Sequence, residues 1–197
     1  MASVGSRIGV LGGTFDPIHT GHLLAASEVA SVLGLELVVF VPTGQPWQKA
    51  GTVVSAAQDR YLMTVLATAD DPRFDVSRVD IDREGPTYAV DTLRDLHRQF
   101  GPGCELFFIV GSDTLAGLPT WHEPHQVVKL AQLVAVARTG QDVAEPSVPG
   151  ATVLEVSMPT IEISATQCRE RIAAGRSIDY LVPAQVVSFI KKRGLYR

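Results

Sequence analysis

Short apolar runs alternate along this chain with longer segments whose apolar residues recur at helical spacing. The first run, Ile8 to Leu11, ends at Gly12 and Gly13, which is typical of a buried strand that leads into a tight turn. After a compact polar loop, apolar residues between Leu23 and Leu33 recur as on a helix with one buried face. The sequence therefore opens with a strand, a glycine turn and a helix.

The same alternation continues along the rest of the chain. Further strands are predicted at Glu36–Val41, Phe74–Ile81, Glu105–Val110, Leu133–Ala137 and Val153–Val156. Further helices are predicted from a capping box of Ser55 and Gln58 to Ala69, from a Thr87 cap to Phe100, near His125–Gln132, at Thr166–Ala174 and at Pro183–Arg193. This pattern predicts an α/β fold, a Rossmann-like, doubly wound, mostly parallel sheet followed by a small C-terminal helical segment.

Length and composition are those of one globular domain. The chain has 197 residues, of which 46% are hydrophobic and 19% are charged, enough for one buried core and few for two. We therefore predict a single domain over residues 1–197, with the sheet in 1–160 and the C-terminal helices in 161–197. The connection from Thr139 to Gly150 is polar and rich in proline and glycine, as in a surface loop.

Charge and cysteine content narrow the classes of function. A formal charge of −4 without a long basic run argues against nucleic-acid binding. Cys104 and Cys168 are too few for a disulfide framework and are expected to be buried in a reducing compartment. We expect a cytoplasmic protein without a membrane partner, because no signal-peptide pattern appears and no apolar stretch nears the ~18 residues of a membrane helix. The oligomeric state stays open, and a homo-oligomer is compatible with the sequence.

His19 and His22 lie three residues apart at the predicted start of the first helix and so share one face. Free backbone N–H groups and the positive end of the helix dipole meet at a helix start, which suits a phosphate. Gly21 keeps a Cβ atom out of the space that a triphosphate would need. A capped helix start with surface histidines is the plain alternative. No metal site is predicted, because no third ligand follows the pair.

Candidate residues at two later positions each have a structural alternative. Gly111 and Asp113 follow the most apolar predicted strand, and Asp113 could accept a hydrogen bond from a nucleotide or cap the next helix. Thr87 and Tyr88 would offer unpaired N–H groups to a carboxylate at a helix start, or form an ordinary cap. A neutral ligand would use that positive end less well than an acid, so the motif favours an acidic ligand.

Aromatic and basic residues complete the candidate site. Trp121 lies among prolines in a predicted loop, where it could stack on an aromatic ring; a place in the core is the alternative. Ser164, Thr166 and Arg169 would form a phosphate clamp at a helix start. Lys49, in a loop after the second strand, could reach a phosphate, although a loop lysine is more often a solvated charge.

The segment GGTFDPIHTGHL resembles the signature of the HxGH nucleotidylyltransferases, most closely that of the bacterial nicotinate-nucleotide adenylyltransferases. The resemblance extends from about Ile8 to Tyr196 and includes REGPTYAVDTL and ISATQCRER, the second being similar to the family's ISSTxxR element. It implies adenylyl transfer from ATP to nicotinate mononucleotide, which gives nicotinate adenine dinucleotide and pyrophosphate. Mg²⁺ would enter with ATP, held mainly by its oxygens and by water.

The resemblance also implies roles for individual residues. The catalytic set is His19, His22, Lys49 and Arg169. The ATP-binding set is Gly12, Gly13, Thr14, Phe15, Gly21, Gly111, Asp113, Ser164 and Thr166. The nicotinate-mononucleotide set is Thr87, Tyr88, Trp121 and Lys49. Two positions depart from the family's pattern: Gln48 stands where many relatives have a histidine, and Ala165 stands where a serine is common.

Rival functions from two classes stay open. The same fold could act on nicotinamide mononucleotide or on another phosphorylated acceptor such as phosphopantetheine, which has no aromatic ring for Trp121 to stack on. The other rival is a nucleotide sensor without catalysis. The presence of all four residues of the catalytic set argues against a sensor.

Overall fold

Parallel strands form one continuous sheet in the computed structural model of the chain, which describes residues 5–46, 54–138 and 147–197. The strands are β1 (Arg7–Gly13), β2 (Leu37–Pro42), β3 (Phe74–Val76), β4 (Glu105–Gly111), β5 (Gln132–Arg138) and β6 (Val153–Met158). All neighbouring pairs are parallel, and the strand order is β3-β2-β1-β4-β5-β6. The predicted doubly wound, Rossmann-like sheet is confirmed.

Helices cover both faces of the sheet. They are α1 (Thr20–Leu33), α2 (Ala57–Thr68), α3 (Ala89–Phe100), α4 (Ser112–Leu115), α5 (Pro124–Leu130), α6 (Ala165–Ala173) and α7 (Ala184–Arg193), with a 3₁₀ helix at Leu118–Thr120. Buried residues of α1, α2, α6 and α7 form one hydrophobic core, and those of α3, α4 and α5 form the other. This arrangement explains the continuous apolar runs of the central strands β2 and β4, because a sheet covered on both faces has no polar side.

β1 contributes to both cores through the alternation of its side chains. Val10 packs in the core with α3, whereas the next residue, Leu11, packs in the core with α1. β1 pairs with β2 on one side and β4 on the other, so the strand order reverses between β1 and β4. In open α/β sheets, ligands bind outside the carboxyl ends of the strands at such a switch point. The loops that follow Gly13 and Gly111 therefore flank the expected site.

The predicted strand from Phe74 to Ile81 is wrong beyond Val76. Ser77 donates its N–H to the carbonyl of Phe40, and the chain then turns, with the N–H of Ile81 donating to the carbonyl of Arg78 at 2.8 Å. Past Val76 the buried residues are the polar Ser77 and Asp80, so the alternation of apolar and polar residues there belongs to a turn and does not mark the buried face of a strand.

Two predicted helix caps are also wrong. Ala56 is the N-cap of α2, and Ser55 instead donates its N–H to the Asp16 carboxylate at 3.2 Å. Tyr88 is the N-cap of α3, and the Thr87 hydroxyl instead accepts the N–H of Gln45 at 3.2 Å. In both cases a residue suited to capping bonds to a distant loop, so tertiary contacts override the local motif.

The C-terminal helices share a core with the sheet. Cys168 on α6 and Val186 on α7 are fully buried in the same cluster as Ile18 and Val29. Cys104 and Cys168 are both free and buried, as expected. The division of the chain at residue 160 stays a prediction. Within the residues described, no helix has the length and apolar character needed to cross a membrane.

Candidate active site

Two cavities flank the carboxyl ends of β1 and β4 and share Val110 as a wall. The first, which we call the Trp121 cavity, has a volume of about 260 Å³ and is lined by Gly12, Gly13, Thr14, Thr43, Pro46, Asp80, Thr87, Tyr88, Ala89, Thr92, Phe108, Val110, Thr114, Trp121 and His122. The second, which we call the His19 cavity, has a volume of about 290 Å³ and is lined by Leu11, His19, Gly21, His22, Ala25, Ile109, Val110, Gly111, Ser112, Asp113, Val136, Met158, Ile161 and Ile163.

Most of the predicted residues that the structure describes line one of these cavities, and four of them line neither: Phe15, Ser164, Thr166 and Arg169. His19, Gly21, His22, Gly111 and Asp113, all predicted to bind ATP or its phosphates, line the His19 cavity. Thr87, Tyr88 and Trp121, predicted to bind the mononucleotide, line the Trp121 cavity. Three residues at the end of β1 were assigned to ATP from the sequence but line the Trp121 cavity: Gly12, Gly13 and Thr14.

The histidine pair forms a compact stack at the start of α1. His19 is the N-cap residue, and its N–H donates to Nδ1 of His22 at 3.1 Å. The two rings are stacked, with centroids 3.7 Å apart, and Phe15 meets the His22 ring edge-on at 5.1 Å. The predicted sharing of one face is confirmed, and it is fixed by a backbone-to-ring hydrogen bond as well as by spacing.

His19 is the more buried member of the pair. Its exposed fraction is 8%, and its Nδ1 is fully buried without a hydrogen-bond partner among the described residues. Burial lowers the pKa of His19 to about 4, so the ring is neutral at pH 7. A Cβ atom on Gly21 would lie 3.1 Å from Nδ1 of His19, which explains the glycine between the histidines. The His19 ring therefore presents an uncharged wall to a ligand in the His19 cavity.

The expectation of free backbone amides at the start of α1 is wrong for two residues of its first turn. The N–H of Thr20 donates to the carbonyl of Leu181 at 2.9 Å, and the N–H of His22 donates to the carbonyl of His19 at 2.9 Å. The Thr20 hydroxyl also donates to the Leu181 carbonyl, so the turn before α7 is tied to the start of α1. An anion at this site would depend more on side chains than on the helix start.

The remainder of the loop after β1 supports the histidines through packing. Phe15 is 2% exposed and has a positive φ of 50°, and a Cβ atom on Gly13 would lie 2.8 Å from its ring. Gly13 is therefore required by the Phe15 ring. The Phe15 ring contacts the His22 and Phe40 rings, and its role in ATP binding stays a prediction. The peptide bond between Asp16 and Pro17 is cis.

Aromatic and polar groups meet in the Trp121 cavity. Trp121 lies in a loop, as predicted, and its ring packs edge-on against Phe108 with centroids 5.9 Å apart. Tyr88 stacks on His122 with centroids 4.4 Å apart. Because the N–H of Thr87 donates to the carbonyl of Gln45 at 3.1 Å, the predicted unpaired amide at Thr87 is wrong. The positive end of α3, which begins at Ala89 in the cavity wall, is the corrected position for that electrostatic feature.

Asp80 is a buried carboxylate in the same cavity, which the sequence did not single out. Its exposed fraction is 3%, and Oδ1 accepts the Thr92 hydroxyl at 2.7 Å and Nη1 of Arg83 at 3.0 Å. Burial raises the pKa of Asp80, while these two hydrogen bonds oppose the rise. The Asp80 carboxylate in the cavity wall is thus already paired with the Arg83 guanidinium.

Arg169 lies where the sequence predicted, three residues beyond Thr166 on the same face of α6. Its Nη2 donates to the Thr166 hydroxyl at 3.1 Å, and its Nη1 donates to the backbone carbonyl of Asp16 at 2.8 Å. Ser164 is the N-cap of α6, with its hydroxyl accepting the N–H of Gln167 at 3.1 Å. These contacts fix the guanidinium beside the loop that follows β1.

Other predicted residues have a plainer setting. Asp113 is exposed in the short helix α4, and Gly111 is the N-cap of that helix, so the alternative of an Asp113 cap is wrong. Lys49 and the neighbouring Trp47 lie outside the described residues, as do residues 139–146 of the predicted surface loop. The predicted roles of the site residues in binding and catalysis stay predictions.

Sequence reasoning missed a buried cluster beneath the site. Arg60, on α2, is 1% exposed and donates to the carbonyls of Thr14, Gly44 and Ser55. Asp16 is 3% exposed, and its carboxylate accepts the Tyr196 hydroxyl at 2.5 Å. No sequence signal marks Arg60, because an arginine on a helix is ordinarily solvated.

Comparisons with known proteins agree with this geometry. A family model described as cytidylyltransferase-like matches residues 10–171. A probable nicotinate-nucleotide adenylyltransferase of Saccharopolyspora erythraea is 57% identical over 191 residues, which cover 97% of this chain and 90% of the relative. The protein of the same description from Streptomyces coelicolor is 56% identical over 187 residues, which cover 95% and 99%.

Solved structures share the fold. Nicotinic acid mononucleotide adenylyltransferase of Plasmodium falciparum, complexed with NaAD, superposes with a TM-score of 0.80 at 16% identity, covering 97% of each chain. The same Plasmodium enzyme complexed with APC gives a TM-score of 0.77. At this identity the structures support the fold alone, whereas the sequence relatives extend over nearly the whole chain. The chain therefore belongs to the cytidylyltransferase-like family, among the relatives described as nicotinate-nucleotide adenylyltransferases.

Proposed function

We propose that this protein is an enzyme of NAD biosynthesis that transfers the adenylyl group of ATP to nicotinate mononucleotide. The products are nicotinate adenine dinucleotide and pyrophosphate. The observation that carries the proposal is the pair of cavities at the switch point of the sheet, one lined by stacked imidazoles and the other by aromatic rings. The names of relatives at 55–57% identity agree with it.

ATP is assigned to the His19 cavity. Its phosphates would meet His19 and His22, and its nucleoside would lie toward Gly111 and Asp113, where the Asp113 carboxylate could accept a hydrogen bond. Arg169, held by Asp16 and Thr166, keeps further N–H donors for the departing pyrophosphate. Lys49 would supply a mobile charge between the two substrates, as predicted from the sequence.

The mononucleotide is assigned to the Trp121 cavity. The pyridine ring would stack on Trp121, and its carboxylate would face the positive end of α3 near Tyr88 and Ala89. Asp80 is the feature of this cavity that would favour the amide, which can donate to a carboxylate. Because Arg83 and Thr92 already pair with Asp80, we expect the acid to be preferred.

The reaction needs no covalent enzyme intermediate. A phosphate oxygen of the mononucleotide attacks the α-phosphorus of ATP, the bond from that phosphorus to the bridging oxygen breaks, and pyrophosphate leaves with the electron pair. The protein's part is to align the groups and stabilise the developing negative charge. His22 is the residue that we assign to the transferring group, with His19 beside it.

Mg²⁺ is proposed as the divalent ion that accompanies ATP. Within the described residues, no group of three or more histidine, cysteine, aspartate or glutamate side chains is placed to hold a metal ion. In this proposal the phosphate oxygens of ATP and water are therefore its main ligands, and the ion supplies charge neutralisation at the phosphates. We place the reaction in the cytoplasm, where both mononucleotide and ATP are available.

Steady-state kinetics with both mononucleotides tests the function. Pyrophosphate release should be faster with nicotinate mononucleotide and ATP than with the amide. We expect His22→Ala to lower kcat by about 10²–10³, the usual effect of removing one donor to a charged transition state. His125→Ala is the matched control, because His125 is exposed on α5 and lines neither cavity.

Two outcomes would contradict the proposal. Release with the amide alone would move the function to nicotinamide mononucleotide. Wild-type turnover in the His22→Ala variant would remove His22 from the reaction, provided that thermal unfolding shows both histidine variants to be folded.

A further inference from the structure

Arg60 is a charged residue buried completely beneath the candidate site. Its exposed fraction is 1%, the lowest of any charged residue among those described. Burial lowers the pKa of Arg60, and the nearby negative charge of Asp16 opposes that effect. A buried guanidinium is retained only where its hydrogen bonds and its charge are satisfied, so its partners indicate its role.

The guanidinium bonds to three different segments of backbone. Nη1 donates to the carbonyl of Thr14 at 2.8 Å, Nη2 to the carbonyl of Gly44 at 3.0 Å and Nε to the carbonyl of Ser55 at 3.0 Å. These carbonyls belong to the loop after β1, the loop after β2 and the segment before α2. The planar fork of five N–H donors suits this task, which a lysine ammonium could not perform at all three positions.

The loop after β2 also contacts two residues that line the Trp121 cavity, Asp80 and Thr87. Gly44 lies so close to the turn at Asp80 that a Cβ atom on it would be 2.2 Å from the Asp80 carbonyl oxygen. The next residue, Gln45, exchanges two hydrogen bonds with Thr87, at 3.1 and 3.2 Å. Arg60 therefore holds this loop through the Gly44 carbonyl, while Asp80 packs against Gly44 and Thr87 hydrogen-bonds to Gln45.

Both loops that Arg60 holds form walls of the Trp121 cavity. Thr14 lines that cavity directly, and Thr43 and Pro46 line it on either side of Gly44 and Gln45. By contrast, none of the three residues whose carbonyls Arg60 contacts lines the His19 cavity, which the loop after β1 reaches only at its far end, at His19. The effect of Arg60 should thus be larger in the Trp121 cavity than in the His19 cavity.

We propose that Arg60 is a positioning residue for the acceptor substrate, which fixes the walls of the Trp121 cavity more directly than those of the ATP site. The assignment of the acceptor to this cavity rests on the proposed function; the fixing of the two loops rests on the contacts alone. Arg60 touches no substrate and takes no part in the chemical step.

The first test is the kinetic behaviour of Arg60→Lys, which keeps the charge and removes the fork. The KM for the mononucleotide should rise about tenfold or more, while the KM for ATP stays within about twofold. Arg193→Lys is the matched control: Arg193 bonds through Nε and Nη2 to Asp59, the neighbour of Arg60 on α2, and lines neither cavity. Both KM values should be unchanged in the control.

The second test does not depend on turnover. Hydrogen exchange of the ligand-free protein should be faster in Arg60→Lys than in wild type at residues 43–46 and 86–88, and unchanged there in Arg193→Lys. If Arg60→Lys does not fold, Arg60→Gln is the second variant, because it removes the buried charge, keeps one amide donor and should likewise speed exchange at 43–46.

The outcomes separate the two proposals. Faster hydrogen exchange at residues 43–46 and 86–88 in Arg60→Lys, together with no turnover of nicotinate mononucleotide by wild type, would retain the positioning role and remove the proposed function. An equal rise of both KM values, or a fall in kcat alone, would overturn the selective role of Arg60. Unchanged exchange at 43–46 in Arg60→Lys, or in Arg60→Gln where that variant is needed, would overturn the positioning role itself.

Discussion

At the scale of single residues, burial decides the charge state of the site. His19 and His22 are neighbours in one stack, and His19 is buried against the cavity with an unpartnered Nδ1. A neutral ring there can donate or accept a hydrogen bond at a phosphate without the repulsion that two adjacent imidazolium ions would create. Positive charge at the phosphates then falls to Arg169 and, as proposed, to Lys49.

The lowered pKa of His19 makes stability depend on pH. The unfolded chain binds a proton on this histidine near pH 6.5, whereas the folded protein does so only near pH 4. Stability from this group is therefore full above pH 6.5 and falls as the pH drops toward 4. We expect the free energy of unfolding of wild type to fall by about 2 kcal/mol more than that of His19→Asn between pH 7 and pH 5.

Chemical denaturation at the two pH values measures this difference. Other titrating groups contribute equally to both proteins, so subtraction isolates His19. If the free energies of unfolding of wild type and His19→Asn changed equally with pH, folding would not lower the pKa of His19.

The sequence identified several of these residues and missed others for a physical reason. The spacing of His19 and His22 sufficed to place them together, because both contacts lie within one turn of helix. The burial of His19 could not be predicted, since the same cavity is lined by Ile163 from far along the chain. Arg60 carries no local signal, because its three partners are backbone carbonyls in separate segments.

At the scale of secondary-structure elements, the start of α1 is built for ligand access at the expense of helix stability. Gly21 is a poor helix former in the first turn, and no positive φ requires a glycine there. The space that its missing Cβ leaves is next to the His19 ring. Function, rather than local backbone geometry, therefore explains this glycine.

Gly21→Ala should separate stability from binding. The added Cβ would lie 3.1 Å from Nδ1 and 3.2 Å from Cε1 of His19, so the ring must shift by a few tenths of an ångström. We expect the KM for ATP to rise about tenfold, while helix propensity raises the free energy of unfolding by up to about 1 kcal/mol. Kinetics and thermal unfolding measure the two effects.

Val32→Ala is the control for this experiment, because Val32 is 60% exposed on the same helix. The control should gain stability from helix propensity without any change in the KM for ATP. An unchanged KM in Gly21→Ala would mean that the His19 ring can move without loss of ATP binding.

Elements with a strong apolar pattern were predictable, and irregular ones were not. The buried strands and the long helices α1 and α3 follow from their own sequences, because a doubly covered sheet imposes continuous apolar runs. The misplaced caps at Ser55 and Thr87 share one cause, because each residue bonds to a loop that is remote in sequence. The false extension of β3 has another, since the chain after Val76 enters a turn closed by hydrogen bonds to the Arg78 carbonyl.

At the scale of the whole molecule, contacts between distant segments hold the site together. The Tyr196 hydroxyl donates to the Asp16 carboxylate across a separation of 180 residues, at 2.5 Å. Burial and the Asp16 charge raise the pKa of Tyr196, so it stays a donor throughout the physiological range. The segment after α7 is thereby joined to the loop after β1, in which the Asp16 carbonyl accepts a hydrogen bond from Arg169.

Tyr196→Phe should measure the strength of this connection. The change leaves the buried Asp16 carboxylate without one of its donors, so the free energy of unfolding should fall by about 1–2 kcal/mol. Tyr180→Phe is the control, since Tyr180 is 95% exposed and its loss of a hydroxyl should change stability by less than about 0.5 kcal/mol. Equal stabilities of the two variants would show that the Asp16 contact contributes nothing.

The pleat of β1 has a consequence for any molecule that fills both cavities. Leu11 and Gly12 are consecutive and point to opposite faces of the sheet, so the cavities open on opposite sides and no channel through the sheet is needed to connect them. A dinucleotide, or an inhibitor that mimics one, must bend around the carboxyl end of β1 to occupy both cavities. Bulk added at Gly12 would obstruct such bridging ligands and take room from the half-ligand in the Trp121 cavity, while leaving the room in the His19 cavity unchanged.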